Sequence, residues 1–443
     1  MAGNAAERAA EPAPAAGDFW RAMGSAVVVG GLSGLSAFAF VQVVGLGTRF
    51  LWGDPTQIDV GGGEWWWIAA GLVAGLAVGS LRRALRVPDR LDGSAAIMTK
   101  GSVDTASAPA AVAVSAVSLI GGASLGPFDA GTRSGAAIGA WWSRRGRSEA
   151  QPIDVLNGVA GGLGGLLTAP VVATLLITEL QRRTSREYLA FLVPNLVAAV
   201  VGFAVFYVTV GSSFLGIYAQ DPYEVLIWHF GLAAGLGLVA AGVAWGLEKA
   251  VAVTARLAAR GVGSLPVRAA LGGSVVGLIA VVLPVTFGSG KQQLTALVDQ
   301  PASIGVVLLL AVALGKVAAM AVSLGTGFIG GGVMPTLFLG GTLGLAVAEA
   351  MPAVPRSLAF SCMLVGVAAT AMRAPLTMAV LVVLMTGLGP IEATPAVITT
   401  VVAYLARRGT SQAVLPLAGI DLPSVAEPPR DKPANTHRDR GEE

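Results

Sequence analysis

The chain has 443 residues, 54% of them hydrophobic and 12% charged, with a formal net charge of +3 and a mean hydropathy of +0.72. No soluble globular domain carries this composition, which reads as an all-α polytopic membrane protein. Short basic clusters between apolar runs argue against a nucleic-acid partner. A single cysteine and two histidines, His229 and His437, leave no metal-ligand set and imply no cofactor.

Residues 1–22 read as an N-terminal tail rich in Ala, Pro and Glu, with Arg8 basic and without the order of a cleavable signal. Ala26–Val44 is long enough to cross a bilayer. Trp52, Trp65, Trp66 and Trp67 then form an interfacial belt before a returning span, Trp67–Leu81. Arg82, Arg83, Arg86 and Arg90 follow, and by the positive-inside rule this cluster and the N-terminal tail are cytoplasmic. Asp92–Met98 (DGSAAIM) interrupts the apolar pattern before a span from about Ala108 to Leu119.

A Gly-rich stretch, Ile120–Gly139 (IGGASLGPFDAGTRSGAAIG), comes next and exits at Arg144, Arg145 and Arg147. Ile153–Leu180 is broken by Gly158, Gly161, Gly162, Gly164, Gly165 and Pro170 into two short helices, closed by Arg182, Arg183 and Arg186. Apolar blocks continue over Tyr188–Val210, Tyr223–Leu247, Ala269–Leu283, Ile304–Ser323, Leu337–Ala350, Leu358–Met372, Leu376–Thr386 and Ala396–Ala406. A second Gly-rich stretch, Gly325–Gly340 (GTGFIGGGVMPTLFLG), lies among them. Beyond Arg407 and Arg408, residues 411–443 form a polar tail without a folded regulatory domain.

The chain repeats itself. Thr168–Leu180 (TAPVVATLLITEL) resembles Arg373–Met385 (RAPLTMAVLVVLM), with Pro170 and Pro375 separated by 205 positions; Pro127 and Pro335 are separated by 208. This predicts two membrane repeats, 23–210 and 211–410. Gly- and Pro-interrupted segments at matching positions of two halves point to a transporter's binding site.

Backbone left unpaired at membrane depth is tolerated where it is buried in protein or lines a wet cavity, and a helix that starts there points its positive end at an anion. The same glycines also suit a tight helix crossing. In Gly126–Gly135 (GPFDAGTRSG), Asp129 and Arg133 are spaced as an i,i+4 pair. The hydroxyl of Ser94 suits either an anion or a carbonyl of its own helix. Glu179 is either a functional intramembrane acid or the interfacial partner of the arginines after it. Lys316, inside VALGKVAAM, must snorkel, find a partner or lend positive potential to a wet cavity; the last option fits an anion pathway.

From about Asp92 to Arg408 the chain resembles the CLC family of chloride channels and anion/proton antiporters. The match rests on MRAPLTMAVLVVLMTG (Met372–Gly387), GTGFIGGGVMPTLFLGG (Gly325–Gly341), LPVTFGSG (Leu283–Gly290) and a basic residue at Lys316. The resemblance implies two inverted-topology repeats of tilted and broken helices. It also implies a homodimer in the bilayer of the inner or plasma membrane, both termini cytoplasmic, with one pathway per subunit for chloride or a similar small anion. Ser94 falls at the family's anion-coordinating serine. Gly331, Gly332 and Val333 fall on its second pore loop, with the amides of Gly332 and Val333 toward the anion, and Gly126–Ala130 on the loop that carries the gate.

The departures bear on mechanism. Phe128 stands where the family has its gating glutamate, and Asp129, one place on, replaces it only if the loop shifts by a residue. The family's proton-transfer glutamate falls at Leu180, beside Glu179, and no tyrosine follows Arg408. Phenylalanine binds no proton, so the expectation is uncoupled anion conduction with Phe128 as an apolar plug. Two alternatives stay open: a coupled transporter using Asp129 or Glu179, or moving another anion such as fluoride, and a non-conducting scaffold. No nucleophile and base pair suggests an enzyme.

Overall fold

The computed structural model describes residues 16–53, 63–89, 91–146, 152–181, 185–211, 214–299 and 304–408. Arg8, Arg90, Arg147, Arg182, Arg183, His437 and the expected 411–443 tail lie outside the described residues. Within them are sixteen α-helices in two runs of eight. The first run is α1 Ala16–Trp52, α2 Trp67–Ala84, α3 Ser94–Lys100, α4 Ala108–Ile120, α5 Phe128–Gly146, α6 Pro152–Leu167, α7 Pro170–Leu180 and α8 Ser185–Val210. The second is α9 Ile227–Gly261, α10 Leu265–Val282, α11 Lys291–Asp299, α12 Val306–Thr326, α13 Val333–Ala350, α14 Arg356–Met372, α15 Pro375–Thr386 and α16 Pro390–Arg408. The tail boundary expected at residue 22 is corrected: α1 starts at Ala16 and runs through it, because Phe19, Trp20 and Ala22 continue the apolar helix.

Six helices among the described residues are long and apolar enough to cross a bilayer. Shorter ones, such as α4, α6, α7, α14 and α15, cannot span alone. They are short helices whose backbone at membrane depth has to be satisfied by neighbouring protein or a wet cavity. The expected break near Pro170 occurs at Thr168, whose φ of 44° is left-handed, and its repeat mate Arg373 has φ 57°. In both halves this turn precedes an Ala-Pro pair with proline at the helix start, where its missing N–H leaves no bond unmade.

The repeat register is 205, so the pairing of Pro127 with Pro335 expected at 208 is corrected: Pro127 matches Gly332. Gly126 and Gly331 exchange two backbone hydrogen bonds, each 2.8 Å, as an antiparallel bridge. Around it the bonding is reciprocal. The Ile329 N–H donates to Ser118 Oγ at 3.2 Å, and the N–H of Ser124, the mate of Ile329, donates to Ser323 Oγ at 3.1 Å. The two halves thus run in opposite senses across a local pseudo-two-fold axis.

Helix packing repeats in the same register. A Cβ on Gly135 of α5 would stand 2.2 Å from the Gly158 carbonyl oxygen of α6, and one on Gly340 of α13 would stand 2.4 Å from that of Met363 on α14. Part of each Gly-rich stretch therefore serves close helix crossing. The tryptophan belt also has a packing role: Trp52 stacks on Trp66 at 5.6 Å, meets Phe287 at 4.8 Å and donates Nε1–H to the Ile120 carbonyl at 2.7 Å.

Candidate anion site

Three helix N-termini converge on one cavity of ≈ 90 Å³. They belong to α3 at Gly93–Ser94, α5 at Phe128 and α13 at Gly332–Val333, and Leu324, Phe328, Ile329 and Met372 supply apolar wall. The first amides of a helix have no intrahelical acceptor and carry its positive end, so this geometry favours negative charge. The volume admits a small ion or a few waters.

Of the residues expected from sequence, Ser94, Phe128, Asp129, Arg133, Gly331, Gly332 and Val333 line this cavity. Asp129 and Arg133 form the expected i,i+4 pair. Arg133 Nε donates to Asp129 Oδ2 at 3.3 Å, and Nη2 reaches both carboxylate oxygens at 3.2 Å. Nη2 also donates to the Asp92 carbonyl at 2.8 Å, which ties α5 to the segment before α3. The Ser94 hydroxyl donates to Asp129 Oδ1 at 2.9 Å. The serine expected to face an anion thus faces a built-in carboxylate, and all three side chains are buried. Phe128 is also buried, packed so closely that a Cβ on Gly331 would lie 2.7 Å from its own.

Gly126 and Gly331 are corrected as anion donors, and three other residues lie away from the cavity. Gly126 does not line the cavity, and its N–H and that of Gly331 are used by each other across the repeat axis, so neither offers an amide to an anion. Lys316 is fully buried outside the cavity wall. Its Nζ donates to the Thr286 and Gly288 carbonyls at 3.0 and 2.7 Å and sits 4.8 Å from the centre of the Phe338 ring. The irregular segment around Pro284–Gly290 exposes carbonyls that no helix satisfies, and a buried ammonium is stable where it meets them. Glu179 also lies outside the cavity. It accepts from the Leu376 and Thr377 N–H groups, each at 2.8 Å, and from Thr377 Oγ1 at 2.6 Å, which caps α15 from α7. His229 is buried, and its Nδ1 accepts from the Leu226 N–H at the start of α9.

Arg82, read from sequence as a topology marker, is a buried wall residue of the cavity. Its Nη1 donates to the Gly327 carbonyl at 3.0 Å and its Nη2 to those of Pro88 and Asp89 at 2.9 and 3.2 Å. No local signal marks it out: Arg82 and the exposed Arg83 share the last turn of α2.

Comparison with known proteins gives a consistent picture. The family model described as "Voltage gated chloride channel" matches residues 94–408. YfeO of Escherichia fergusonii, named as an ion-transport protein, is 27% identical over 361 residues, covering 77% of this chain and 82% of that one. YfeO of Escherichia coli K12 strain DH10B is 26% identical over 366 residues with the same coverage. Among solved structures, a slow cyanobacterial Cl−/H+ antiporter has a TM-score of 0.76 at 20% identity, covering 90% of this chain and 96% of the other. A CLC-type fluoride/proton antiporter has a TM-score of 0.71 at 19% identity, covering 87% and 94%.

Proposed function

The chain belongs to the voltage gated chloride channel family, and we propose that it moves a chloride-like anion through the cavity at Ser94 without obligatory proton exchange. The observation that carries this is the convergence of three helix N-termini on a cavity whose first loop presents Phe128 where proton-coupled relatives use an acid. The helix ends favour the anion, and the Ser94 hydroxyl can rotate from Asp129 Oδ1 toward it while the Asp129–Arg133 pair stays in place. Phe128, packed on Gly331, closes the path as an apolar plug whose rotamer decides whether water and ions pass.

A second reading has its own support. The Asp129 carboxylate already accepts the Ser94 hydroxyl, as a competing internal anion would, and the chain's fold relatives include Cl−/H+ and F−/H+ antiporters. To shuttle a proton, however, Asp129 must leave Arg133, and stranding one partner of a buried pair costs about 3–5 kcal/mol. This favours the uncoupled reading. Glu179 is engaged as the cap of α15, so acting as a relay would require it to release those donors. The same reading carries a homodimer in the plasma or inner membrane, both termini cytoplasmic.

The test is chloride efflux from proteoliposomes with a simultaneous pH readout. Voltage-driven efflux without proton movement is expected, and stoichiometric proton uptake overturns the uncoupled reading. Phe128→Ala should raise the flux about tenfold, equivalent to about 1.4 kcal/mol off the barrier. Unchanged flux from a folded variant removes Phe128 from the pathway.

A further inference from the structure

The segments that lead into the cavity are not held alike. The loop from Gly327 to Gly332 is tied along its length: the Ile329 N–H donates to Ser118 Oγ, and Gly331 exchanges two backbone bonds with Gly126. The loop before α5 shares that bridge, and the Ser124 N–H donates to Ser323 Oγ. The segment between α2 and α3 has no such partners. Among the described residues of 88–92, the hydrogen bonds on its backbone come from two arginine side chains. Arg82 Nη2 donates to the Pro88 and Asp89 carbonyls, and Arg133 Nη2 to that of Asp92. The segment ends at Gly93–Ser94, so these bonds decide where the Ser94 side chain stands.

Arg82 reaches further. Its Nη1 donates to the carbonyl of Gly327, which ends α12 with φ 110° and opens the second pore loop. One guanidinium therefore bridges the lead-in to Ser94 and the lead-in to Gly332–Val333. Its planar fork addresses both directions at once, which the point charge of a lysine does not. The post that carries it is rigid. A Cβ on Gly75 would stand 2.0 Å from the Ala269 carbonyl oxygen and one on Gly79 2.5 Å from Pro266 Cα, so the last turns of α2 are locked onto α10. The Arg82 side chain is buried and, among the described residues, is in no ion pair. Three carbonyls, not an acid, fix its place.

We propose that Arg82 is a positioning residue for the anion. It holds the Ser94 segment and the Gly332–Val333 loop at one separation, so that both meet the same ion without being reordered on binding. The proposal rests on the reading that an anion occupies the Ser94 cavity, and its test separates the two.

Chloride binding is measured by calorimetry on the full-length protein in detergent, and chloride flux against concentration in proteoliposomes, for wild type, Arg82→Lys, Arg82→Gln and Arg83→Gln. Arg83 is the exposed neighbour, so its variant removes the same charge from the same end of α2 without a tie. Arg82→Lys should weaken chloride about tenfold although it keeps the charge, the low end of what losing a supporting hydrogen bond costs a bound ion. Half-saturation should rise by the same factor with the maximal rate kept. Arg82→Gln should weaken binding at least as much, and Arg83→Gln should match wild type. Wild-type affinity in Arg82→Lys, or equal weakening in Arg83→Gln and Arg82→Gln, reduces Arg82 to a charge and overturns the tie. A lower maximal rate at unchanged half-saturation, or an Arg82→Lys variant that does not fold, makes the residue structural and overturns it as well. Wild type that neither binds nor passes chloride overturns the underlying reading of the cavity instead.

Discussion

The two halves of the membrane region share a backbone plan and differ in what they place at its centre. In the first half, Ser94 opens the third helix, and Asp129 and Arg133 lie in the first two turns of the fifth. In the second half the first residue of the third helix is Lys291, and the mates of Asp129 and Arg133 at the 205 register are Met334 and Phe338. Met334 and Phe338 are buried, and Lys316 covers the Phe338 ring. The scaffold is duplicated, serine for serine and glycine crossing for glycine crossing; the charged side chains that line the cavity all come from the first half. A repeat is thus evidence about architecture, and a site must be read from the positions where the repeats disagree.

The difference can be tested by making one half chemically like the other. Asp129→Ala leaves Arg133 buried and unpaired and should destabilise by about 3–5 kcal/mol, read as a large loss in thermal unfolding in detergent. Asp129→Met combined with Arg133→Phe copies the second half into the first. It should recover most of that loss, because apolar residues often replace a buried ion pair without penalty. A double variant no more stable than Asp129→Ala would show that the pair organises the fold rather than the cavity.

Symmetry itself is probed by smaller changes. Gly135→Ala and Gly340→Ala each force a methyl group against a carbonyl of the facing helix and should each cost about 1–3 kcal/mol. Unequal costs would mean that the shared register does not carry shared packing. Smallest is Glu179→Gln, which keeps an acceptor at the start of α15 but removes its charge, for about 0.3–1 kcal/mol. No change in unfolding temperature would remove the charge from the account of that cap.

Much of this was legible along the chain because it follows from local pattern. Helix spans come from apolar runs, the α6–α7 break from Pro170 and its glycines, and the Asp129–Arg133 pair from i,i+4 spacing. Seven of the residues singled out for the anion line one cavity because each sits at or just after an interruption in apolar helix. Contacts between distant segments were not legible. Arg82 meets a carbonyl 245 positions away, Lys316 meets carbonyls near Thr286, and Gly126 meets Gly331. None of these partners is a side chain whose type could have announced the pairing. The difference between 205 and 208 has the same origin: Pro127 and Pro335 are not mates, and the register is set by the backbone bonds of Gly126 with Gly331.

The seam between Gly126 and Gly331 is shared equally by the two loops. A contact in which one segment meets its mate and the mate answers in kind across a two-fold axis is what two identical chains make when they dimerise. Because each segment answers the other with the same bond, a change at either Gly126 or Gly331 withdraws support from both loops at once.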